Sequence, residues 1–489
     1  MYTSALFSQE KPYGIFDNHI DIGAVEKKGV VSYNGEDQEY LIEGSGKNMW
    51  FADDQFHYLW KSIKGDFIVR AKVKFIGKGV DPHRKIGWMA RNSFHPDSPH
   101  VNASLHGDGL LSLQYRKTKG AETEEVKAGN EMVDIIQLER KGNRFIMSVA
   151  KMGDTLRQVE VSDVALKNEL FVGLYVCAHN PTVIEKAIFS DVRIIKPFNE
   201  TKERYQDYLG SNMEVLDVES GQRKVLFTSS HSIQAPNWTV DGESLIYNSN
   251  GYLYHYNLKN QKISTINTGP AIKNNNDHVL SFDGKQLGIS HHDENDNGYS
   301  GIYVLPVGGS STPRKITKDG LGASYLHGWS TDAKELVFTG KRSGQYNIFS
   351  VEIETGIETQ LTNTPGLDDG PEYSPDGKYI YFNSNRTGTM QIWRMKPDGS
   401  DQEQLTFDEL NDWFPHISPD GKTMVFLSFG TDVESDDHPF YKHVYLRIMP
   451  VSGGEPKILT YIYGGQGTIN VPSWSPDGKW IAFVSNTQY

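Results

Sequence analysis

The sequence has little cysteine, no long apolar run and no surplus of basic residues. Its 489 residues include one cysteine, Cys177, so no disulfide can form within the chain. We interpret this residue as a small buried hydrophobe, because it lies in an apolar run and no metal-binding spacing accompanies it. Asp and Glu number 62 against 49 Lys and Arg, for a formal charge of −13. This balance disfavours nucleic acid as a partner.

Segments that would direct the chain to a membrane are also missing from the sequence. No apolar run approaches the ~18–20 residues that a membrane-spanning helix needs, so no membrane span is expected. The first residues, MYTSALFSQEKPYG, contain no basic stretch followed by an apolar one, so no signal peptide is visible.

What the sequence does contain is an internal repeat. A turn of the type Ser-Pro-Asp-Gly recurs, and its aspartates lie 42, 49, 44, 44 and 57 residues apart. The turn aspartates are Asp241, Asp283, Asp332, Asp376, Asp420 and Asp477. Each turn precedes a short run rich in aromatic and β-branched residues, and each unit predicts four antiparallel strands. A four-strand unit of this length is typical of a β-propeller blade.

The last repeat is incomplete, which predicts how the ring closes. After Asp477 the chain supplies one clear strand, Trp480 to Ser485, before it ends. The missing outer strands are expected at Met213 to Val218 and Lys224 to Thr228, ahead of the first complete repeat. The two ends of the region would then share one blade, which removes exposed sheet edges.

These repeats resemble the TolB-type, WD-like propellers of bacteria. The segments that carry the resemblance are PSWSPDGKWIAFVSN, SPDGKYIYFNSNRTGTMQIWRM and FPHISPDGKTMVFLS. It covers roughly residues 211–489 and implies a six-bladed propeller. Because this family usually works outside the cytoplasm, we expect a periplasmic or extracellular protein whose signal peptide is absent from this chain; a cytoplasmic location stays open.

The first 198 residues contain strand patterns but no propeller repeat. Gly65 to Phe75 alternates apolar and polar residues, as a half-buried strand does. With helical patterns nearly absent, an antiparallel β-sandwich is predicted over residues 1–198, followed by a linker over 199–210. Segments such as GDFIVRAKVKF and FVGLYVCAHN resemble concanavalin-like and laminin-G-like sandwiches. The resemblance implies that the domain binds glycans through aromatic side chains on one face. The candidate platforms are Trp50, Trp60, Trp88 and Tyr115, and for any one of them packing in the core or between the sheets is the favoured interpretation.

The repeat also predicts which residues surround the mouth of the propeller channel. Seven positions before each turn aspartate stand Gln234, Asn276, Tyr325, Asp369, Trp413 and Asn470. Two positions further on, four blades have proline, whereas two neighbouring blades have His278 and His327. A departure from the repeat at equivalent positions of adjacent blades indicates a local function. Blade five also carries a long insertion, residues 430–442, which we interpret as a lid or specificity loop.

From these positions we predict a site on one face of the propeller. Acid–base groups and charge-neutralising groups are the parts that sugar cleavage requires. The candidate catalytic residues are His278, His327, Asp369, Arg342 and Arg386. The candidate substrate-binding residues are Trp413, Asp368, Glu372, Asn470, Tyr325, His416 and His443. Loop-capping by the aspartates and hydrogen-bonded rim histidines are the alternative interpretation.

A metal is a further candidate at this face. His291 and His292, together with His278 and His327, would supply imidazole ligands for a divalent ion such as Mn or Ca. The clustered histidines on a propeller resemble those of oligogalacturonate lyases, which use a histidine-rich metal site.

The function expected is that of a carbohydrate-active protein. An oligosaccharide would be bound and cleaved, by lyase or hydrolase chemistry, at the loop face of the propeller. The alternative is a non-catalytic TolB-like propeller that binds a protein or glycan partner in the cell envelope.

Overall fold

The computed structural model describes residues 12–199 and 206–487. The chain divides into two compact units, residues 1–197 and 198–489. Apart from one turn of 3-10 helix at Glu294–Asp296, the regular structure of the described residues is all β. No described helix has the length and apolarity to cross a lipid bilayer.

The described part of the first unit, residues 12–197, contains fourteen strands. They are β1 (Asn18–Ile22), β2 (Val30–Asn34), β3 (Glu39–Gly44), β4 (Phe56–Lys64), β5 (Phe67–Ile76), β6 (Lys85–Arg91), β7 (His100–His106), β8 (Leu110–Arg116), β9 (Glu124–Asn130), β10 (Ile135–Lys141), β11 (Arg144–Ala150), β12 (Arg157–Val161), β13 (Glu169–Cys177) and β14 (Glu185–Ile195).

These strands form two seven-stranded antiparallel sheets, which confirms the predicted sandwich. The strand orders are β1-β4-β13-β6-β7-β8-β9 and β12-β11-β10-β5-β14-β3-β2. Phe67, Val69 and Ala71 alternate along β5 and point into a core that Trp88 fills from the other sheet. Alternation with period 2 thus places one face of each sheet in a shared apolar layer.

Three of the four aromatic residues considered as glycan platforms in this unit pack inside it. Trp88 and Tyr115 belong to the core between the sheets, with 0% and 8% of their surface exposed. Trp60 packs against the rings of Phe94 and Phe171, at centroid distances of 4.9 and 5.1 Å. Trp50 is half-buried.

Cys177 is buried, as its sequence context indicated. Burial raises the pKa of its thiol to about 11, so the reactive thiolate is scarce at neutral pH.

The second unit contains β15 to β37. Their bounds are β15 (Gly210–Asp217), β16 (Arg223–Ser229), β17 (Gln234–Trp238), β18 (Ser244–Ser249), β19 (Tyr252–Asn257), β20 (Ile263–Thr265), β21 (Asn274–Leu280), β22 (Gln286–His292), β23 (Ser300–Pro306), β24 (Arg314–Lys315), β25 (Ser324–Trp329), β26 (Glu335–Arg342), β27 (Gln345–Glu352), β28 (Glu358–Gln360), β29 (Asp368–Tyr373), β30 (Ile380–Ser384), β31 (Gln391–Met395), β32 (Glu403–Gln404), β33 (Asn411–Ile417), β34 (Thr423–Phe429), β35 (Lys442–Pro450), β36 (Lys457–Gly464) and β37 (Trp480–Thr487).

Five four-stranded sheets and one three-stranded sheet form the six blades, as predicted. Residues 200–205 of the expected linker lie outside the described residues, and the first propeller strand begins at Gly210.

The turn aspartates that revealed the repeat hold the tip of each blade. In all six turns, the side chain two residues earlier, a threonine or serine, donates its hydroxyl to the aspartate at 2.6–2.8 Å. These bonds stabilise the ionised form, and the Ser281 hydroxyl is the largest influence that lowers the pKa of Asp283 to about 2. The repeated aspartates are therefore structural.

The ring closes by pairing its two ends, also as predicted. β15 pairs antiparallel with β37, from Gly210 opposite Thr487 to Asp217 opposite Trp480. β16 completes the sheet on the other side of β15.

A buried ion pair lies inside this closing sheet. Arg223 donates to both carboxylate oxygens of Glu214, at 2.6 and 2.7 Å, and its guanidinium lies 4.9 Å from the ring of Phe483 on β37. Arg223 also donates to the carbonyl oxygen of Tyr461 on the neighbouring blade at 2.9 Å. The pair therefore links both ends of the ring to the blade beside them.

Removing the arginine should destabilise the propeller. Arg223→Ala leaves the fully buried Glu214 without its cation, which costs about 3–5 kcal/mol for buried pairs. We therefore expect the midpoint temperature of one unfolding transition in calorimetry to fall. Lys396→Ala, which breaks the exposed pair with Asp401, is the matched control and should leave both transitions in place. Equal effects of the two substitutions would contradict the role assigned to the closing sheet.

Candidate functional site

A cavity of about 630 Å³ opens where the first strands of the blades begin. Five of the six residues aligned seven positions before the turn aspartates line it: Gln234, Asn276, Tyr325, Asp369 and Asn470. The sixth, Trp413, is fully buried, and its ring stacks at 4.3 Å on His438, which does line the cavity. We call this space the channel-mouth cavity.

Bulges in the first strands direct these side chains into the cavity. The register of strand one against strand two shifts in five blades, for example between Asp369 and Glu372. At Gly370 the backbone takes a φ of +63°, and an added Cβ would lie 2.7 Å from Asn383 Oδ1. A bulge re-aims the residues beside it, which is a recurrent device next to functional sites.

The lining is polar and rich in amides and rings. Its amide side chains are Gln234, Asn248, Asn250, Asn274, Asn275, Asn276, Gln466 and Asn470. Its rings, apart from the histidines, are Tyr208, Tyr325, Tyr346, Phe414 and Phe440. Its acids and imidazoles are Asp277, Asp369, Asp436, Asp437, His292, His327 and His438. No lysine or arginine belongs to the described lining.

His327 and Asp369 form an ion pair in the wall of the cavity. His327 Nε2 lies 3.3 Å from Asp369 Oδ1, and His327 Nδ1 lies 3.3 Å from the carbonyl oxygen of Asn470. Both partners are acceptors, so both ring nitrogens donate and the ring is an imidazolium. Asp369 also accepts from the Thr339 hydroxyl at 2.6 Å and from the amide of Gly370 at 2.8 Å.

The pKa values of the pair agree with this assignment. Burial by itself would lower the pKa of His327, but the hydrogen bond that its ring donates to Asp369 and the charges of Asp277 and Asp369 outweigh it and raise the pKa. Burial by itself would raise the pKa of Asp369, but His327 lowers it to about 2. The scaffold thus holds the pair in its ionised form at neutral pH.

Asp277 lies next to this pair and has no cation of its own. It is 5% exposed, and its backbone amide donates to the Asn275 side chain at 3.0 Å. Burial raises the pKa of its carboxyl to about 7, while the charge of His327 opposes that rise and Asp369 adds to it. A carboxyl group with a pKa this far above its ordinary value marks a functional-site candidate.

The insertion in blade five borders the cavity, where a lid or specificity loop was expected. It connects β34 to β35 and contributes Asp436, Asp437, His438 and Phe440 to the lining. Its end is anchored at Tyr441, whose hydroxyl accepts from the amide of Leu209 at 2.9 Å.

The comparisons with known proteins agree with this fold. A TolB β-propeller domain model matches residues 322–436. An uncharacterised protein of Agrobacterium fabrum is 44% identical over 275 residues, which are 56% of this chain and 92% of the relative. The solved structure of a TolB-like protein from Agrobacterium tumefaciens is 43% identical, with a TM-score of 0.55, and the match covers 58% of this chain and all of that one.

The chain belongs to the TolB β-propeller family. The family assignment extends to the propeller architecture and leaves the ligand open, because propellers of one fold serve unrelated functions.

An oligogalacturonate lyase in complex with manganese is a more distant structural neighbour. It is 14% identical with a TM-score of 0.37, and the match covers 56% of this chain and 78% of the lyase. This similarity concerns the propeller fold alone.

Both predicted catalytic arginines of this TolB-family chain lie outside the lining and hold the scaffold. Arg342 pairs with Glu358 at 3.0 Å and donates to the carbonyl oxygen of Ala323 at 2.9 Å. Arg386 pairs with Asp368 at 2.9 Å and lies 4.7 Å from the ring of Trp393. Neither guanidinium is therefore positioned to neutralise a ligand carboxylate in the cavity.

Five predicted binding residues also lie outside the lining, namely Asp368 and Trp413, whose contacts are given above, and Glu372, His416 and His443. His416 Nδ1 lies 2.6 Å from Glu372 Oε2, and Glu372 Oε1 accepts from the amide of Ile417 at 3.0 Å. The two side chains are buried and join blades four and five. His443 packs its ring against Tyr463, 5.7 Å away.

The structure does not assemble the four candidate metal-binding histidines. His278 is fully buried with Nε2 3.3 Å from the carbonyl oxygen of Ile246, and the His291 ring accepts from the amide of Lys273 at 3.2 Å. Only His292 and His327 reach the cavity. Among the described residues, no group of three or more His, Cys, Asp or Glu side chains has an arrangement that fits a metal ion.

An acidic loop in blade two is closed by a lysine. Lys315 Nζ lies 2.9 Å from Asp293 Oδ2 and 3.7 Å from Asp296 Oδ2, and it also contacts Asp319. The ammonium group occupies the position among the carboxylates that a bound cation would need.

Asp277 and His438 border the cavity, although neither was among the candidate site residues. Asp277 stands directly before His278 in the aligned strand, and the bulge of β21 brings it into the lining while His278 is buried. His438 was part of the insertion, but the insertion has no counterpart in the other blades, so the repeat gave no position for it.

Removing the charge of Asp277 should stabilise the protein. Below about pH 4 the carboxyl is protonated in both folded and unfolded chains, so Asp277→Asn should change little. Between about pH 4 and pH 7 the folded state alone keeps the proton, and wild-type stability falls as pH rises. Above pH 7 the variant should exceed the wild type by about 2–4 kcal/mol in urea unfolding.

Asp368→Asn is the matched control. Asp368 is equally buried but is paired with Arg386, so its neutralisation should lower stability at pH 8. A loss of stability in both variants would show that Asp277 also has a stabilising partner.

Proposed function

We propose that the channel-mouth cavity binds an oligosaccharide. The observation that carries this proposal is the lining: eight amide side chains and three tyrosines converge on one cavity. Amides donate and accept hydrogen bonds as sugar hydroxyls do, and aromatic faces cover the apolar faces of sugar rings. A volume of about 630 Å³ lies within the range of small-molecule sites.

The charge of the cavity favours a neutral or basic sugar over a uronate. A bound carboxylate would need an arginine or lysine to neutralise it, and the described lining contains neither. The lining instead contains four aspartates, which would repel an anionic sugar.

Cleavage of the bound sugar is the second candidate function, and Asp277 favours it. A carboxyl group with a pKa of about 7 can carry a proton at neutral pH and donate it to a leaving oxygen, as acids of glycoside hydrolases do. His327 is the weaker candidate for proton transfer, because both its nitrogens already donate to scaffold acceptors.

We also propose that the protein works outside the cytoplasm, since it belongs to the TolB family.

Deleting one amide of the lining should weaken binding. We expect Asn276→Ala to lose about 1 kcal/mol, or roughly fivefold in Kd, for an oligosaccharide identified by a glycan array and measured by calorimetry. Asn260→Ala, an exposed amide in the turn between β19 and β20, is the control and should bind normally. The proposal is wrong if no sugar of a broad neutral, basic and acidic panel binds.

Mass spectrometry of the same incubations decides whether the bound sugar is cleaved. New products that Asp277→Asn abolishes, and that His278→Ala retains, would establish Asp277 as a catalytic acid. Products heavier by one water than those of elimination would mean hydrolysis. Binding without any product would assign the cavity to recognition alone.

A further inference from the structure

We propose that the ligand of the channel-mouth cavity carries a protonated amine and that Asp277 binds this amine, so that the protein selects basic amino sugars. This inference rests on the proposed binding of an oligosaccharide and names its class.

Four aspartates line the cavity together with three histidines, His292, His327 and His438. Asp369 is neutralised by His327 at 3.3 Å, with both groups ionised. Asp277 remains beside that pair, and Asp436 and Asp437 add negative charge from the blade-five insertion. Because no described lysine or arginine lines the cavity, Asp277 is neutralised either by a proton or by a cation that a ligand brings.

The burial of Asp277 favours the binding of a cation beside its carboxyl group. With 5% of its surface exposed, Asp277 has lost most of its hydration, and no ion pair within 4 Å joins its carboxyl group to a described lysine, arginine or histidine. A buried carboxylate without a cation is costly, and a bound ammonium group relieves that cost. The same burial makes the resulting charge-assisted bond stronger than one at the surface.

A second buried acceptor lies on the same strand. Asn274 is 6% exposed and donates its Nδ2 to the carbonyl oxygens of Gly251 and Ala271, at 2.9 and 2.7 Å. Its Oδ1 accepts no hydrogen bond. Asn274 and Asp277 both line the cavity, and Asn274 Oδ1 has no donor within hydrogen-bond distance among the described residues. An ammonium group offers three hydrogen-bond donors to Asn274 Oδ1 and the Asp277 carboxyl group, whereas a carboxylate ligand offers none.

Two tyrosines complete the surroundings that a cation prefers. Tyr325 and Tyr346 line the cavity with ring centroids 6.4 Å apart, and the charge of Asp277 acts on Tyr325. Burial raises the pKa of Tyr325, so its hydroxyl stays neutral. Neutral tyrosine rings attract an ammonium group through their faces.

The test compares three oligosaccharides with the same linkage and length. They are β-1,4-linked tetramers of glucosamine, N-acetylglucosamine and glucose, measured by calorimetry on the full chain at about pH 6. We expect the glucosamine tetramer to bind at least tenfold more tightly than the glucose tetramer, since only the glucosamine amine can form a charge-assisted bond with Asp277. Acetylation of the amine should remove this advantage.

Proton release gives an independent readout. At about pH 6 the free Asp277 is largely protonated, and an ammonium ligand favours its ionised form. Binding of glucosamine tetramer should therefore release close to one proton, measured in buffers of different ionisation enthalpy. Binding of glucose tetramer should release none.

Two variants locate the effect. Asp277→Asn should abolish both the amine preference and the proton release while the glucose tetramer still binds. Asp436→Asn, an exposed aspartate of the same lining, should reduce the preference by less than threefold.

The outcomes separate this inference from the proposed function. Equal binding of glucosamine and glucose tetramers, or tighter binding of an oligogalacturonate, overturns the amine inference and leaves oligosaccharide binding standing. Failure of every sugar to bind overturns both. A preference for glucosamine that survives in Asp277→Asn assigns the amine to another residue and overturns the role of Asp277.

Discussion

The pairing of β15 with β37 is the interaction on which the propeller depends. It joins residues 210–217 to residues 480–487, so the ring has no free sheet edge at its seam. The buried Glu214–Arg223 pair ties this sheet to the neighbouring blade through the carbonyl of Tyr461. Closure matters for the site as well, because Gln234 and Asn470, which line the same cavity, come from opposite ends of the repeat region.

Cationic side chains of the propeller are neutralised within their own blades. Arg342, Arg386 and Lys315 all have the charge to bind an anion, yet each is held by carboxylates of its own blade. What remains at the channel mouth is acceptor-rich and acidic, with Asp277 as the carboxyl group whose charge is least compensated. The chemistry of the cavity therefore follows from which charges the blades have already neutralised.

The sequence predicted the fold and the ring of lining residues, but it assigned roles less well. Equivalent positions of a repeat take equivalent places in the propeller, so five of six aligned residues meet at the cavity. The same alignment paired His278 with His327, although one is buried against Ile246 and the other lines the cavity. Bulges explain the difference, because a shift of one residue exchanges the side chains that face inward and outward.

The sequence by itself determined the all-β architecture, the six blades and their closure, because these depend on local patterns that recur at a fixed period. Only the tertiary structure decided that Arg386 pairs with Asp368, that Glu372 pairs with His416 and that Asp277 is buried beside the His327–Asp369 pair. Ion pairs join residues of different strands at distances of a few ångströms, and no period in the chain encodes such distances. A ligand in the cavity meets the charge of those side chains that no such ion pair neutralises.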